Sequence, residues 1–407
     1  MREGRTDRKV LVAAALAVLS LSCTTREVAR SPGASRTDRG SPAPTSAATT
    51  EISTDSTKRL RRSTRPSADT EAVVTAGSDG TLHARTLYDG LALGVVTALA
   101  ADSQLIYVGN DEADAPLLIF DAESGKLLGT LGREGDGPGE YRYVSSIQPL
   151  PGGHGSRQRG LLIFDGTARR LTRFHLLDPG TVKIDSPVTA TVNAGGYMTG
   201  LAMLPDSSLV GPGLFTSHRL ARLQLDGTLI EMLGPTPDNP NGLPVPVLEH
   251  VYQSTLAARP DGSRIALADR FMNHIELYGA DGTLRRTVNG PIAVAPVFQV
   301  AMAGGAPTMA SDENLRFGYV GIAAGQRYIY ALFSGRRRGD YGPSEATYAD
   351  QLHVFDWDGN LVRMVKLDRD IANIAVAPDE RRLYGIAVGE SEALVAYDIA
   401  RVAPPGP

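Results

Sequence analysis

Three consecutive arginines, Arg336-Arg337-Arg338, with Tyr341 close behind, are the strongest charge feature that could meet a ligand. Guanidinium groups pair bidentately with carboxylates and phosphates. The stretch therefore suits an acidic sugar, a lipid headgroup or a partner's acidic patch, with a merely solvated loop as the plain alternative. A second stretch runs Gly132-Arg133-Glu134-Gly135-Asp136-Gly137-Pro138-Gly139-Glu140-Tyr141. Its glycines permit a tight backbone path. Pro138 removes an N–H and strand-like residues follow, so a phosphate cradle opening a helix is not expected. Glu140 and Tyr141 either lock neighbouring elements or, with Arg133, touch a ligand.

Metal chemistry and covalent chemistry find less support. Asn110-Asp111-Glu112 with Asp114 offers oxygen ligands but lacks the spacing and glycine of a calcium loop. The histidines are scattered without ligand spacing. Asn193, Asn273, Asn314, Asn373 and Glu249 lie near strand starts or loops, where a central channel could gather them. No G-x-S-x-G elbow is present, and Cys23, the only cysteine, rules out an intrachain disulfide. No catalytic set follows.

The elements that must position these residues repeat. Pro116 to Tyr141 holds an apolar strand, an Asp/Gly turn, a second strand and the glycine-rich crossing. The same pattern returns at Phe174–Ile184, Leu223–Ile230, Leu277–Arg286 and Phe355–Val362, with a last copy opening at Ala393–Asp398. The turns lie about 40 to 80 residues apart, within reach of the period of a four-stranded propeller blade. Two further strand-like runs precede each hairpin, clearest at Ser254–Ala258 with Arg264–Ala268 and at Ile371–Ala377 with Arg382–Val388. The pattern predicts an all-β fold, a six-bladed β-propeller of four-stranded antiparallel blades.

The blades are expected near 90–131, 143–191, 200–234, 252–290, 317–367 and 371–398, with a long crossing at 291–314. Matching steps, Asp165-Arg170-Phe174 and Asp269-His274-Tyr278, predict acid–base braces between second and third strands. The last copy has three strands, and a bare edge invites aggregation. Thr81–Tyr88 is strand-like and is predicted to close the ring beside Ala393–Tyr397. In such a ring the loops between second and third strands share one face with the crossings between blades, which places Arg133, Glu140, Tyr141, Arg336, Arg337, Arg338 and Tyr341 together as a candidate ligand face.

The chain opens with Arg2, Arg5, Arg8 and Lys9, then the apolar run Val10–Leu19 and Ser20-Leu21-Ser22-Cys23. A basic head, a short apolar core and small residues describe an export signal over residues 1–22 rather than a spanning helix. The ending resembles the lipobox of bacterial lipoproteins, which implies lipid on Cys23; an ordinary signal with an incidental cysteine is the alternative. Thr24 after it resembles the outer-membrane pattern. Residues 23–71 are rich in Ser, Thr, Ala, Pro and Arg and read as a disordered tether, 72–400 as the propeller and 401–407 as a tail. A net charge of −4 argues against nucleic acid as a partner.

The Gly132–Tyr141 stretch resembles the G-x-G-x-G-P-G-E-aromatic signature of six-bladed β-propeller lipoproteins of bacteria, a TolB-like and NHL-like group. The resemblance implies a propeller at the cell envelope. The anchor, the tether and the lack of a convergent catalytic set favour a lipid-held module, expected to be a monomer, that binds a protein, a small molecule or a carbohydrate without catalysis or cofactor. The alternative is a lactonase-like hydrolase or a lyase that holds a divalent metal such as calcium in the channel, its ligands unknown.

Overall fold

The second strands of the repeats are almost wholly apolar, as in Leu105–Asp111 and Tyr328–Phe333, and every residue of the latter is buried. A strand covered on both sides reads as a continuous apolar run, whereas one covered on one side alternates. Val95–Ala101 does alternate between buried and half-buried residues. This difference fixes which strands lie within a blade and which line its inner edge.

The computed structural model describes residues 80–402 except 91, 112–114, 151–158, 179–182, 185–187, 236 and 240. The segments predicted as export signal and tether, Cys23, His154, Glu112, Asp114 and the end of the predicted tail lie outside the described residues. Apart from 301–306, the described residues form one compact unit.

Blade one runs Val95–Ala101, Leu105–Asp111, Leu117–Asp121 and Leu127–Leu131, each antiparallel to the one before. Blade two follows with Val144–Leu150, Arg159–Asp165 and Arg170–Asp178, its outer position shared by Lys183–Ile184 and Val188–Thr191. In blade three the inner position is split into Tyr197–Met198 and Ala202–Met203, ahead of Leu209–Leu214, Leu220–Leu223 and Leu229–Leu233. Blade four is Ser254–Ala258, Arg264–Asp269, His274–Gly279 and Leu284–Asn289. Blades five and six share one eight-stranded sheet, because Leu361–Val376 is a single strand. Its first part pairs with Ala349–Asp356 as the outer strand of blade five, and its second part pairs with Arg382–Ala387 as the inner strand of blade six.

The ring closes as the sequence predicts. Arg85–Tyr88 pairs antiparallel with Ala393–Asp398, Arg85 opposite Ala396 and Tyr88 opposite Leu394. The predicted run Thr81–Tyr88 is nevertheless two strands. Thr81–Leu82 pairs in parallel with Lys366 and Leu367 of blade five. The chain then steps across to blade six at Ala84, whose N–H donates to the Asp368 carboxylate at 3.1 Å.

Buried apolar clusters fill the spaces between blades: Tyr107, Leu117, Leu161 and Phe174 between one and two, Ala221 with Phe164 between two and three, Leu220 with Tyr278 between three and four. Leu277 with Phe355, Tyr330 with Val395, and Leu118 with Leu394 continue the series through blades five and six and back to one. The hairpin turns are closed by their acids: Asp121 accepts from Ser124 N–H, Asp226 from Thr228 and Asp281 from Thr283. Each is followed by a glycine of positive φ, at Gly125, Gly227 and Gly282. Asp356 closes the next turn in the same way, taking the N–H groups of Asp358 and Asn360 at 2.9 and 2.8 Å.

Two of the crossings carry regular elements of their own. The crossing from blade three to blade four contains the helix Val245–Val251, whose Val247, Leu248 and Val251 are buried. Pro244 and Pro246 sit at its start, where a missing N–H is harmless. The crossing 291–314 carries the strands Phe298–Ala303 and Ala306–Ser311.

Within blade five, His353 is fully buried, stacked on Phe333 at 4.7 Å, with Nδ1 at 3.1 Å from the Tyr319 hydroxyl. Burial pushes its pKa down to about 4. The unfolded chain takes up this proton near pH 6.5, about 2.5 units earlier than the folded one. The stability at stake is on the order of 3 kcal/mol, complete above about pH 6.5 and lost as the pH falls toward about 4. His353→Leu should flatten this part of the melting-temperature profile between pH 7 and 4.5; parallel profiles for the two proteins would contradict the assignment.

Candidate functional site

The face that carries the crossings is built on a repeated device. A buried polar side chain at the end of a blade's second strand holds the chain that enters or leaves that blade. Asn110 accepts from the Gly94 N–H at 2.8 Å and donates to the Ala92 carbonyl at 2.9 Å. Asp165 accepts from Arg142 and Ala168 N–H groups at 2.6 and 2.8 Å. Ser334 donates to the Ala346 carbonyl at 2.7 Å.

At Asp269 the device becomes a buried charge network. Arg219 of blade three, 3% exposed, reaches across to Asp269 at 2.5 Å and to Glu276 at 2.9 Å in blade four. It also donates to the Tyr252 carbonyl. His274 meets the other Asp269 oxygen at 2.8 Å, the predicted brace, and Tyr278 donates to Glu276 at 2.7 Å. Burial alone would lower the His274 pKa, and the Asp269 carboxylate outweighs it and raises it. Blade two departs from the predicted brace. Its Arg170 turns away from Asp165 and donates to the carbonyls of Asp136 and Glu140 in the glycine-rich crossing.

That crossing is folded on itself. Arg133–Glu134 pairs in parallel with Glu140–Tyr141. Arg133 donates to Glu140 at 2.6 Å, the Gly137 N–H donates to the same carboxylate at 2.7 Å, and Arg142 pairs with Asp136. The Gly137 N–H and then Arg133 hold the Glu140 pKa below its usual value. Tyr141 is buried between blades one and two, and a Cβ on Gly132, which has φ +77°, would stand 2.7 Å from its ring. The loop's glycines therefore serve packing, and of Arg133, Glu140 and Tyr141 only Arg133 is open to solvent.

The arginine triplet is similarly engaged. Arg336 pairs with Asp370 of blade six, donates to the Glu345 carbonyl at 3.2 Å, and stacks on Tyr341 at 4.7 Å. Arg337 pairs with Asp340 and donates to Asn314 at 3.1 Å. Arg338 begins the short helix Arg338–Tyr341, and Tyr341 is 50% exposed. Beside Asp370, with Arg369 and Thr86, lies a hollow of about 370 Å³. The structure thus brings Arg336, Arg337 and Tyr341 together in blade five, on the same face as Arg133, Glu140 and Tyr141 but on separate loops.

Of the proposed channel donors, Asn273 is committed to Gly290 and Val294, and Asn373 donates to the Val96 carbonyl at 3.0 Å. Glu249 is raised by burial. Among the described residues no three His, Cys, Asp or Glu side chains come together to hold a metal. Two groups on this face carry no signal of their own in the sequence. Glu392, just ahead of the third strand of blade six, is lifted by burial to about 7. Arg270 occupies the place that Gly166 holds in blade two, and the matched Asp165 and Asp269 registers are the signal that could have found it.

A family model described as TolB-like 6-blade propeller-like matches residues 102–379. Among solved structures the chain is similar to Chaetomium thermophilum Raptor, at 11% identity and TM-score 0.46, covering 80% of this chain and 30% of that one. It is also similar to the Myceliophteria thermophila Cps50 (Swd1) beta-propeller domain, at 10% identity and TM-score 0.42, covering 78% of this chain and 100% of that one. No curated protein matches.

Removing Arg219 would leave two carboxylates buried without their cation. Arg219→Ala should cost about 3–5 kcal/mol. The check is chemical denaturation, and a midpoint unchanged from the parent would show that the network contributes nothing to the joint between blades three and four.

Proposed function

Since the chain belongs to the TolB-like family of six-bladed propellers, we propose that it works as a binding propeller of the cell envelope, anchored through lipid on Cys23 and docking a partner on the face of the crossings. One observation carries the reading. Val245, Ile292, Val297 and Tyr341 are large apolar side chains exposed on three loops of that face, from blade three to blade five. Several such side chains on neighbouring loops mark an interaction surface. The arginines around them are already paired, so they orient the loops more than they supply free charge. Lipid on Cys23 would fix the propeller to the membrane while leaving this face open, provided the residues between act as a tether.

Two experiments test the reading. With a photo-crosslinking side chain installed in full-length protein in the producing cell, adducts are expected from Tyr341 and Val245 and not from Lys126, which lies at the third-to-fourth-strand turn of blade one, on the opposite face. Adducts from Lys126 alone, or none, would overturn it. For the anchor, incorporated palmitate should disappear in Cys23→Ser, and label that survives the substitution would remove the lipoprotein claim.

A further inference from the structure

Arg270 directly follows the second strand of blade four, and its neighbour Asp269 is already taken by Arg219 and His274. Its backbone is pinned on both sides. The N–H donates to the Gln253 carbonyl at 2.8 Å, and the carbonyl accepts from Gly318 at 2.7 Å. The guanidinium carbon lies 5.5 Å from the centre of the Phe317 ring. Among the described residues it meets no carboxylate and no hydrogen-bond acceptor.

Its neighbours come from distant parts of the chain. The polar group that acts on its charge is the Tyr143 hydroxyl, immediately ahead of the inner strand of blade two. Blade three stands between blades two and four, so side chains from both meet only toward the axis of the ring. Tyr143 in turn interacts with Tyr197 of blade three and Asp111 of blade one, and burial pushes its pKa up to about 12. The Tyr197 hydroxyl is hydrogen-bonded to Ser145. Gly166 makes room for that pair, since a Cβ there would stand 3.1 Å from the Tyr197 oxygen and 2.3 Å from Ser145 Oγ. Phe317 arrives from the start of blade five. A guanidinium, an aromatic face and two hydroxyls from four successive blades thus share one neighbourhood.

We propose that this axial cluster binds a small monocarboxylate, its two oxygens taking parallel N–H bonds from Arg270 and further bonds from the tyrosine hydroxyls. The single guanidinium compensates one negative charge and leaves a phosphate dianion partly unpaired. A half-buried cation without a partner costs stability that its ligand restores. The proposal shares with the binding-propeller reading only the face it uses, and depends neither on Cys23 nor on the exposed apolar residues.

The test uses full-length protein with 4-fluorobenzoate as the probe, followed by fluorine NMR line broadening, and inorganic phosphate as the second probe. Wild type should broaden the fluorobenzoate line, with affinity roughly tenfold or more weaker in Arg270→Gln and partly retained in Arg270→Lys. The melting temperature without ligand should stay level or rise in Arg270→Gln, where a structural arginine would make it fall. Broadening undiminished in Arg270→Gln, no broadening by wild type, or binding of phosphate in preference to fluorobenzoate would each overturn the assignment. Failure here leaves cross-links from Tyr341 untouched, and failure of those cross-links leaves fluorobenzoate binding untouched, so the two readings fall separately.

Discussion

A propeller stands or falls on closure of its ring. Each blade buries its two faces against its neighbours, so no blade has a complete core until the last one meets the first. Here the meeting is made by a few residues: Arg85–Tyr88 lies along Ala393–Asp398 and supplies the fourth strand that blade six lacks. The apolar cluster of Leu118, Phe120, Ile386 and Leu394 lies between blades six and one, with Leu87 and Tyr88 of the closing strand packed against it. Tyr88 adds its ring to this seam, 5.0 Å from Phe120. Every other inter-blade core is continuous in sequence order, and this one joins the two ends of the described chain.

Charge is used as mortar between blades. Arg219 ties blade three to blade four, Arg327 ties blade five to Glu380 of blade six, and Arg382 ties blade six to Glu123 of blade one. Arg336 does the same from blade five to Asp370. Against this background Arg270 stands out, half-buried and with neither an acid nor a carbonyl on its guanidinium among the described residues. The arrangement separates two uses of one side chain: guanidinium groups that hold blades together, and Arg270, which lies over the Phe317 ring.

The blades were legible in the sequence because their signal is local. An Asp, a glycine and flanking apolar runs describe a hairpin wherever they occur, and five of them, with a sixth copy opening at Ala393, describe the ring. The closing strand was legible for a similar reason, since a missing fourth strand must be supplied from somewhere. The helix Val245–Val251 was not, because Pro244 and Pro246 suggest a loop until Val247, Leu248 and Val251 are seen to share a buried side. Nor could spacing reveal the fused strand Leu361–Val376, whose two halves belong to different blades. The candidate site was legible in position only. The sequence places Arg336 and Arg337 on the right face but cannot say that Asp370 and Asp340 have already claimed them.

The split of the first strands has a mechanical meaning. The chain ahead of Gly80 enters the ring through Thr81–Leu82, laid in parallel on Lys366 and Leu367, and passes at once into the strand that completes blade six. A pull on that leading segment is borne first by the parallel pair and by the Asp368 carboxylate that grips Ala84. Only when these give way does tension reach the clasp. The parallel pair and the fastening of the ring are thus placed in series, with blade five serving as a strain relief for blade six.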